Sequence, residues 1–125
     1  MDNNGVVLIP ARYKSSRFPG KPLVDICGKT MIQRVYEQCV SAVGSQNVYV
    51  ATDSDDIESS VKGFSGNVIK TSENCLTGTD RIAEANKALD YDFVVNVQGD
   101  EPLVKSEDIK KVFNSMKEDI SNIIN

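Results

Sequence analysis

Histidine and tryptophan are both absent from this 125-residue chain, and aromatic residues make up only 6% of it. Without histidine, the chain lacks the side chain that enzymes use most often as a general base, and it lacks the usual nitrogen ligand of zinc. The three cysteines, Cys27, Cys39 and Cys75, are widely spaced and form no Cys-x-x-Cys pair, which argues against a structural zinc site. Catalysis by positioning and charge stabilisation requires neither histidine nor zinc, so a chain without histidine can still belong to an enzyme.

Long apolar runs are also absent, and the first five residues do not begin a basic segment followed by an apolar one. We therefore expect no insertion into a membrane and a cytoplasmic location. The formal net charge of −4 argues against a general nucleic-acid binder, which must neutralise many phosphates. A phosphate ligand of this chain should be small and locally bound.

Strand-like and helix-like patterns alternate four times along the sequence. Short β-branched runs at residues 6–9, 48–51, 68–70 and 93–97 predict buried strands, and each is followed by a segment with apolar residues at helical spacing. Such alternation predicts one α/β domain with a Rossmann-like, mostly parallel sheet and helices on both faces. We expect the strand order 3-2-1-4, which makes the first and fourth strands neighbours.

Helix boundaries can be predicted at several positions. The helix at residues 30–43 has Thr30 as its N-cap and Gly44 as its stop, and it places Cys39 on its apolar face as a core residue. A last helix is expected from Ser106, with inward residues up to Met116. The isoleucines that follow, Ile120, Ile123 and Ile124, predict the start of a further strand.

The loop after the first strand is the most informative segment of the chain. Residues 9–23 concentrate basic side chains in an otherwise acidic protein, together with two serines and Gly20; the cations are Arg12, Lys14, Arg17 and Lys21. Arginine and lysine supply charge to phosphate oxygens, and ligands of parallel sheets bind beyond the carboxyl ends of the strands. The loop is therefore predicted to hold a polyphosphate. A solvated basic loop is the alternative for such a cluster taken alone.

Two motifs that imitate known ligand-binding loops can be set aside. Gly28-Lys29-Thr30 resembles the end of a P-loop, but the glycine required five positions earlier is Leu23. No Gly-x-Gly-x-x-Gly follows any predicted strand, which disfavours a nicotinamide dinucleotide. Asp53-Ser54-Asp55 begins like a calcium loop but lacks the turn glycine, so it is interpreted as a helix start.

Three segments together resemble a known enzyme family. Residues 9–23, 77–81 (Thr-Gly-Thr-Asp-Arg) and 95–102 (Val-Asn-Val-Gln-Gly-Asp-Glu-Pro) resemble the 3-deoxy-manno-octulosonate (Kdo) cytidylyltransferases, or CMP-Kdo synthetases, in order and spacing. The resemblance covers about residues 6–103. Related sialic-acid cytidylyltransferases usually carry Lys-Asn where this chain has Lys21-Pro22, so the Kdo branch matches better.

The resemblance implies roles for individual residues. Arg12 and Lys21 would bind the triphosphate and stabilise the leaving pyrophosphate as catalytic residues. The nucleotide would also contact Pro10, Ala11, Ser15, Thr77, Gly78 and Thr79. The sugar acid would contact Arg17, Arg81 and Gln98.

Asp100 is the predicted Mg²⁺ ligand and the third catalytic residue. Taken alone, Gly99-Asp100 is typical of an ordinary turn. Mg²⁺ usually takes one or two carboxylates together with substrate phosphate oxygens, and an aspartate facing a loop of arginine and lysine meets that requirement. The basic loop and the resemblance together favour Mg²⁺ as the cofactor.

The implied reaction is the activation of Kdo by CTP, which gives CMP-Kdo and pyrophosphate for lipopolysaccharide or capsule synthesis. Members of the family are longer and homodimeric, so residues 1–125 are expected to form the nucleotide-binding half of a cytidylyltransferase domain, truncated at the C-terminus. Two alternatives stay open. One is a cytidylyltransferase for a related acid, 8-amino-octulosonate or sialic acid; the other is a nucleotide-binding fragment without turnover.

Overall fold

Six short strands and four helices are present in the computed structural model, which describes residues 4–14, 19–75, 77–101 and 103–124. Single 3₁₀ turns at Lys21–Leu23 and Ser45–Asn47 complete the described secondary structure. The strands and helices are β1 (Gly5–Pro10), β2 (Asp25–Ile26), β3 (Lys29–Thr30), α1 (Met31–Val43), β4 (Val48–Thr52), α2 (Asp55–Gly63), β5 (Val68–Lys70), α3 (Gly78–Leu89), β6 (Phe93–Asn96) and α4 (Ser106–Ile124).

The first strand lies in the interior of a four-stranded parallel sheet. Every residue of β1 is buried, as its continuous apolar run predicts. β1 pairs with β4 on one edge and with β6 on the other, and β5 pairs with the far edge of β4. The order is β5-β4-β1-β6, which reads 3-2-1-4 when the separate β2–β3 hairpin is left out of the count. The predicted α/β class with a mostly parallel sheet is confirmed.

Alternate residues of β1 face two different layers of helices. Val7 and Ile9 belong to the larger core with α1, α2 and the start of α4, whereas Val6 and Leu8 pack with Ala85 of α3 on the opposite face. The period of two along a strand produces this division. Among the described residues, no helix combines the length and apolar character needed to cross a bilayer.

Polar side chains fix where the helices begin. The Thr30 hydroxyl accepts a hydrogen bond from the Gln33 amide at 3.2 Å, and the Ser54 hydroxyl does the same for Ile57 at 3.2 Å. The interpretation of Asp53-Ser54-Asp55 as a helix start is thus confirmed. Asp90 ends α3 in the left-handed region, at φ 58°, which aspartate adopts more readily than most residues.

The expected strand around Ile120, Ile123 and Ile124 is wrong. The backbone of α4 is helical from Ser106 to Ile124. The three isoleucines continue the spacing of three or four residues set by the inward residues earlier in α4, and no glycine or proline interrupts residues 103–125. The short cluster of β-branched residues has the composition of a strand, but the longer helical period already includes it.

Burial of Cys39 should make the stability of the fold sensitive to alkaline pH. The side chain is fully buried in the larger core, and burial raises the pKa of the thiol from 9.0 to about 12. Above pH 9 the unfolded chain loses this proton while the folded chain keeps it. The free energy of unfolding should therefore fall, by up to about 1.4 kcal/mol per pH unit from this group, as pH rises between 9 and 12.

Urea unfolding of the reduced protein at pH 8 and pH 10 measures this slope. Cys39→Ala should be less stable at pH 8 because a core cavity is created, yet it should lose less stability than wild type between the two pH values. Cys27→Ala, at an exposed cysteine, should keep the wild-type slope. Equal slopes in Cys39→Ala and wild type would contradict the assignment.

Candidate functional site

The carboxyl end of β1 leads directly into the basic loop. The Ala11 amide donates to the Ala51 carbonyl at 2.9 Å, so the parallel ladder with β4 extends one residue beyond Pro10. The loop then returns: the Gly20 amide donates to the Tyr13 carbonyl at 2.6 Å. Gly20 has φ 76°, and a Cβ there would lie 3.1 Å from the Tyr13 ring, so glycine suits both the conformation and the space.

This return brings Lys21 to Asp100. Their side chains form an ion pair, with Nζ of Lys21 3.4 Å from Oδ2 of Asp100, although 79 residues separate them in the chain. The pairing of β1 with β6 explains the proximity, because Asp100 follows β6 by four residues. Both side chains keep nearly half of their surface exposed, 43% for Lys21 and 48% for Asp100. The expected neighbourhood of the basic loop and Asp100 is thus present.

Two glycines let the segments around Pro10 approach one another. A Cβ on Gly99 would lie 3.2 Å from the Pro10 carbonyl oxygen and 3.3 Å from the Ala11 Cβ, closer than a side chain is normally accommodated. A Cβ on Gly78 would lie 3.4 Å from the Pro10 ring and 3.9 Å from the Gln98 amide nitrogen. The end of β1 is therefore in contact with the turn that carries Asp100 and with the first turn of α3.

An open cleft of about 530 Å³ lies at the same edge of the sheet, beside the ends of β4 and β5. The basic loop, the β4–α2 connection and the β5–α3 connection supply its walls, which are mostly charged. The lining residues include Arg12, Tyr13, Lys14, Asp53, Cys75 and Arg81. Exposed cations of the basic loop thus face carboxylates across the cleft.

Arg81 lies at the base of this cleft and is buried. One guanidinium nitrogen, Nη1, donates to the Thr71 hydroxyl at 2.6 Å and lies 3.7 Å from Oδ1 of Asp53. A buried guanidinium needs such partners, since an uncompensated charge in the interior is costly. Asp53 and Thr71 directly follow β4 and β5, so the contacts join α3 to two strand ends.

A residue in the second turn of α3, Glu84, is hydrogen-bonded to the β5–α3 connection, which lines part of the cleft. Oε2 of Glu84 accepts from the Ser72 amide at 2.5 Å, and the Cys75 thiol donates to Oε1 at 3.6 Å. Burial and the neighbouring Glu84 carboxylate raise the pKa of the Cys75 thiol. Cys75 therefore stays protonated near neutral pH, which is the opposite of what a nucleophile requires.

The remaining predicted residues are distributed around these features. Thr77 is the N-cap of α3: its hydroxyl accepts from the Asp80 amide at 3.0 Å. Thr79 is exposed in the first turn of α3, and Gln98 is exposed beside Gly78. Ser15 and Arg17 lie outside the described residues. The roles assigned to all these residues stay predictions.

Asp53, Thr71 and Glu84 were not among the predicted site residues. Asp53 could have been found, because it follows a buried strand directly and so satisfies the positional argument that identified Asp100. Thr71 gave no comparable signal, since its importance comes from a partner ten residues away on a helix. Glu84 looks like an ordinary helix surface residue in the sequence.

The carboxylate of Asp100 is accessible and has the chemistry of a Mg²⁺ ligand. Among the described residues, no group of three or more His, Cys, Asp or Glu side chains is arranged to hold an ion alone. Mg²⁺ does not need such a group, since it keeps several waters and takes one or two carboxylates with phosphate oxygens. An accessible carboxylate next to a lysine meets that requirement.

Comparison with known proteins places the chain in a family. A family model described as cytidylyltransferase matches residues 6–123. The 8-amino-3,8-dideoxy-manno-octulosonate cytidylyltransferase of Shewanella sp. (strain W3-18-1) is 54% identical over 114 residues, which are 89% of this chain and 46% of that protein. Its counterpart in Shewanella baltica (strain OS195) is 54% identical over 112 residues, with 87% and 46% covered. The chain thus spans about half the length of the curated relatives it matches.

Solved structures agree with the sequence comparison. The structure of CMP:2-keto-3-deoxy-manno-octonic acid synthetase complexed with CTP is similar with a TM-score of 0.88 at 44% identity, covering 93% of this chain and 48% of that one. A cytidylyltransferase from Leptospira borgpetersenii serovar Hardjo-bovis (strain JB197) gives a TM-score of 0.78 at 28% identity, covering 89% and 48%. With a family model that matches nearly the whole sequence, the chain belongs to the cytidylyltransferase family.

Proposed function

We propose that this chain supplies the nucleotide-binding part of an enzyme that transfers CMP from CTP to an octulosonic acid of the Kdo type. The observation that carries the proposal is the meeting of Lys21 and Asp100 at 3.4 Å, where the basic loop faces the end of β6. A cation for phosphate and a carboxylate for a metal ion are there within reach of one ligand. Membership in the cytidylyltransferase family supports CTP as that ligand.

The proposed reaction needs no covalent intermediate on the protein. A hydroxyl oxygen of the sugar acid forms a bond to the α-phosphorus of CTP, the bond from that phosphorus to the bridging oxygen breaks, and pyrophosphate leaves. The proton of the hydroxyl passes to solvent. Arg12 and Lys21 would hold the triphosphate and stabilise the charge on the departing pyrophosphate. None of these roles requires a histidine, so they are compatible with the composition of this chain.

Asp100 would hold Mg²⁺ together with phosphate oxygens of the nucleotide. The bound ion would supply charge stabilisation at the reacting phosphate. The Lys21–Asp100 pair itself is half-exposed, and such pairs contribute only about 0.2–1 kcal/mol. Lys21 can therefore exchange its carboxylate partner for a phosphate at little cost, while Asp100 becomes available to the ion.

The sugar acid is proposed at the level of the octulosonate class, with Kdo as the first candidate. The 8-amino acid is a second candidate because curated relatives at 54% identity are named for it. The setting we propose is the cytoplasm, in the supply of activated octulosonate for lipopolysaccharide or capsule, with a homodimer in the full-length protein. In a polypeptide of the relatives' length, pyrophosphate release should be faster with either octulosonate than with sialic acid.

CTP should bind this chain in preference to UTP and ATP when Mg²⁺ is present. Base recognition would come from the backbone near Pro10 and from the first turn of α3, whose polar groups pair with one base and not with another. A mismatched base leaves such groups unpaired, so we expect a preference of roughly tenfold or more. Isothermal titration calorimetry with the three nucleotides measures it.

Two variants distinguish base recognition from phosphate binding. Arg12→Gln should lower the affinity for all three nucleotides by a similar factor, because its predicted contact is with phosphate. Lys87→Gln removes a positive charge from the exposed end of α3, and it should change none of the affinities. Equal affinity for the three nucleotides, or no binding of CTP, would rule out the proposed nucleotide.

Asp100→Asn should remove the contribution of Mg²⁺ to CTP binding. With Mg²⁺, we expect the affinity to fall by roughly tenfold, because an amide oxygen is a much weaker ligand for a hard cation. Without divalent ions the variant should bind CTP at least as well as wild type, because a carboxylate that competes for Lys21 has been removed.

Titrations with Mg²⁺ and with a chelator give the two affinities. Asp90→Asn is the matched control, since asparagine also tolerates the left-handed conformation of this exposed position. It should behave as wild type in both titrations. A normal increase in affinity on adding Mg²⁺ to Asp100→Asn would show that the residue belongs to the turn alone.

A further inference from the structure

Arg81 differs from the other cations of the cleft in how little of it is accessible. Its side chain keeps only 4% of its surface exposed, whereas Arg12 and Lys14, which line the same cleft, are exposed. A phosphate or carboxylate would have to reach a guanidinium whose Nη1 already faces Thr71 and Asp53. The accessible cations Arg12 and Lys14 are better placed for such a ligand.

The partners of Arg81 belong to the framework of the sheet. The Thr71 amide donates to the Thr52 carbonyl at 2.9 Å and so extends the pairing of β4 with β5 beyond its last residues. Asp53 is the next residue after Thr52. The guanidinium of Arg81 therefore links α3 to the ends of two adjacent strands, through a hydrogen bond and an ion pair.

A second set of contacts to the β5–α3 connection lies one helical turn further along the same side of α3. Glu84 is three residues after Arg81, a spacing that places both side chains on one face of the helix. Its carboxylate holds the Ser72 amide and the Cys75 thiol. Arg81 and Glu84 together attach the start of α3 to the segment that enters it.

The first turn of α3 is where this attachment matters for a ligand. Gly78 lies against the Pro10 ring and the Gln98 amide, so a small movement of the turn would open the contact with the end of β1. We propose that Arg81 is a positioning residue, which holds the 77–80 segment against Pro10 and fixes Asp53 in the cleft, and that it does not bind the triphosphate. The inference rests on the proposed function in one respect: the nucleotide must occupy this edge of the sheet.

Two probes distinguish positioning from direct phosphate contact: CTP and inorganic tripolyphosphate, each titrated by calorimetry into the full chain. If Arg81 positions the 77–80 segment, which is proposed to contact the nucleoside, Arg81→Gln should lower the affinity for CTP by roughly tenfold. The affinity for tripolyphosphate should change by no more than about twofold. Arg12→Gln should lower the affinity for both probes. Lys87→Gln is the charge-matched control on α3 and should lower neither affinity.

Thr71→Val provides a second variant that keeps the arginine and its charge. Valine matches threonine in volume but offers no acceptor. The affinity for CTP should therefore fall by roughly threefold, while the affinity for tripolyphosphate does not change. In the Arg81→Gln background, Thr71→Val should cause no further loss, because the contact is already gone. If Arg81→Gln fails to fold, Thr71→Val alone decides.

The inference is overturned if Arg81→Gln weakens tripolyphosphate as much as CTP, or if Thr71→Val binds CTP as wild type does. Failure of the proposed function looks different: wild type would then not bind CTP. In that case hydrogen exchange at the Asp80 and Arg81 amides still tests the positioning, since both amides should exchange faster in Thr71→Val. Unchanged exchange at these amides would also overturn it.

Discussion

The burial of β1 between two parallel neighbours is the constraint on which the site depends. Its edges are hydrogen-bonded to β4 and β6 and its faces are covered by helices, so the backbone at Pro10 and Ala11 has little freedom. Parallel pairing brings the carboxyl ends of all four strands to one edge of the sheet. The basic loop, Asp53 and Asp100 come from three different strands and meet there for this reason.

Exposure divides the charges of this edge into two kinds. Lys21 and Asp100 are half-exposed, so solvent competes with their attraction and a ligand can replace it. Arg81 is buried, and removing its partners would leave a charge in the interior without compensation. The first kind is suited to binding and release. The second is suited to holding the framework in one arrangement.

Much of this arrangement could be predicted because local signals were strong. The apolar run of β1 and the Thr30 cap each depend on neighbouring residues, and both are predicted correctly from the sequence. The last helix was partly misjudged because Ile120, Ile123 and Ile124 satisfy a strand composition and a helix period together. The contacts of Arg81 were beyond prediction, since they join residues from two loops and a helix whose packing has to be known first.

The central claim is that CTP binds at this edge with its metal ion at Asp100 and its phosphates at the basic loop. Paramagnetic broadening by Mn²⁺ in amide NMR spectra tests it most directly, because broadening falls steeply with distance from the ion. The account predicts that the signals of Gly20, Lys21, Gly99 and Asp100 broaden when Mn²⁺ and CTP are added together, and much less with Mn²⁺ alone. Broadening centred on another part of the chain, or the same at these four residues without CTP, would contradict it.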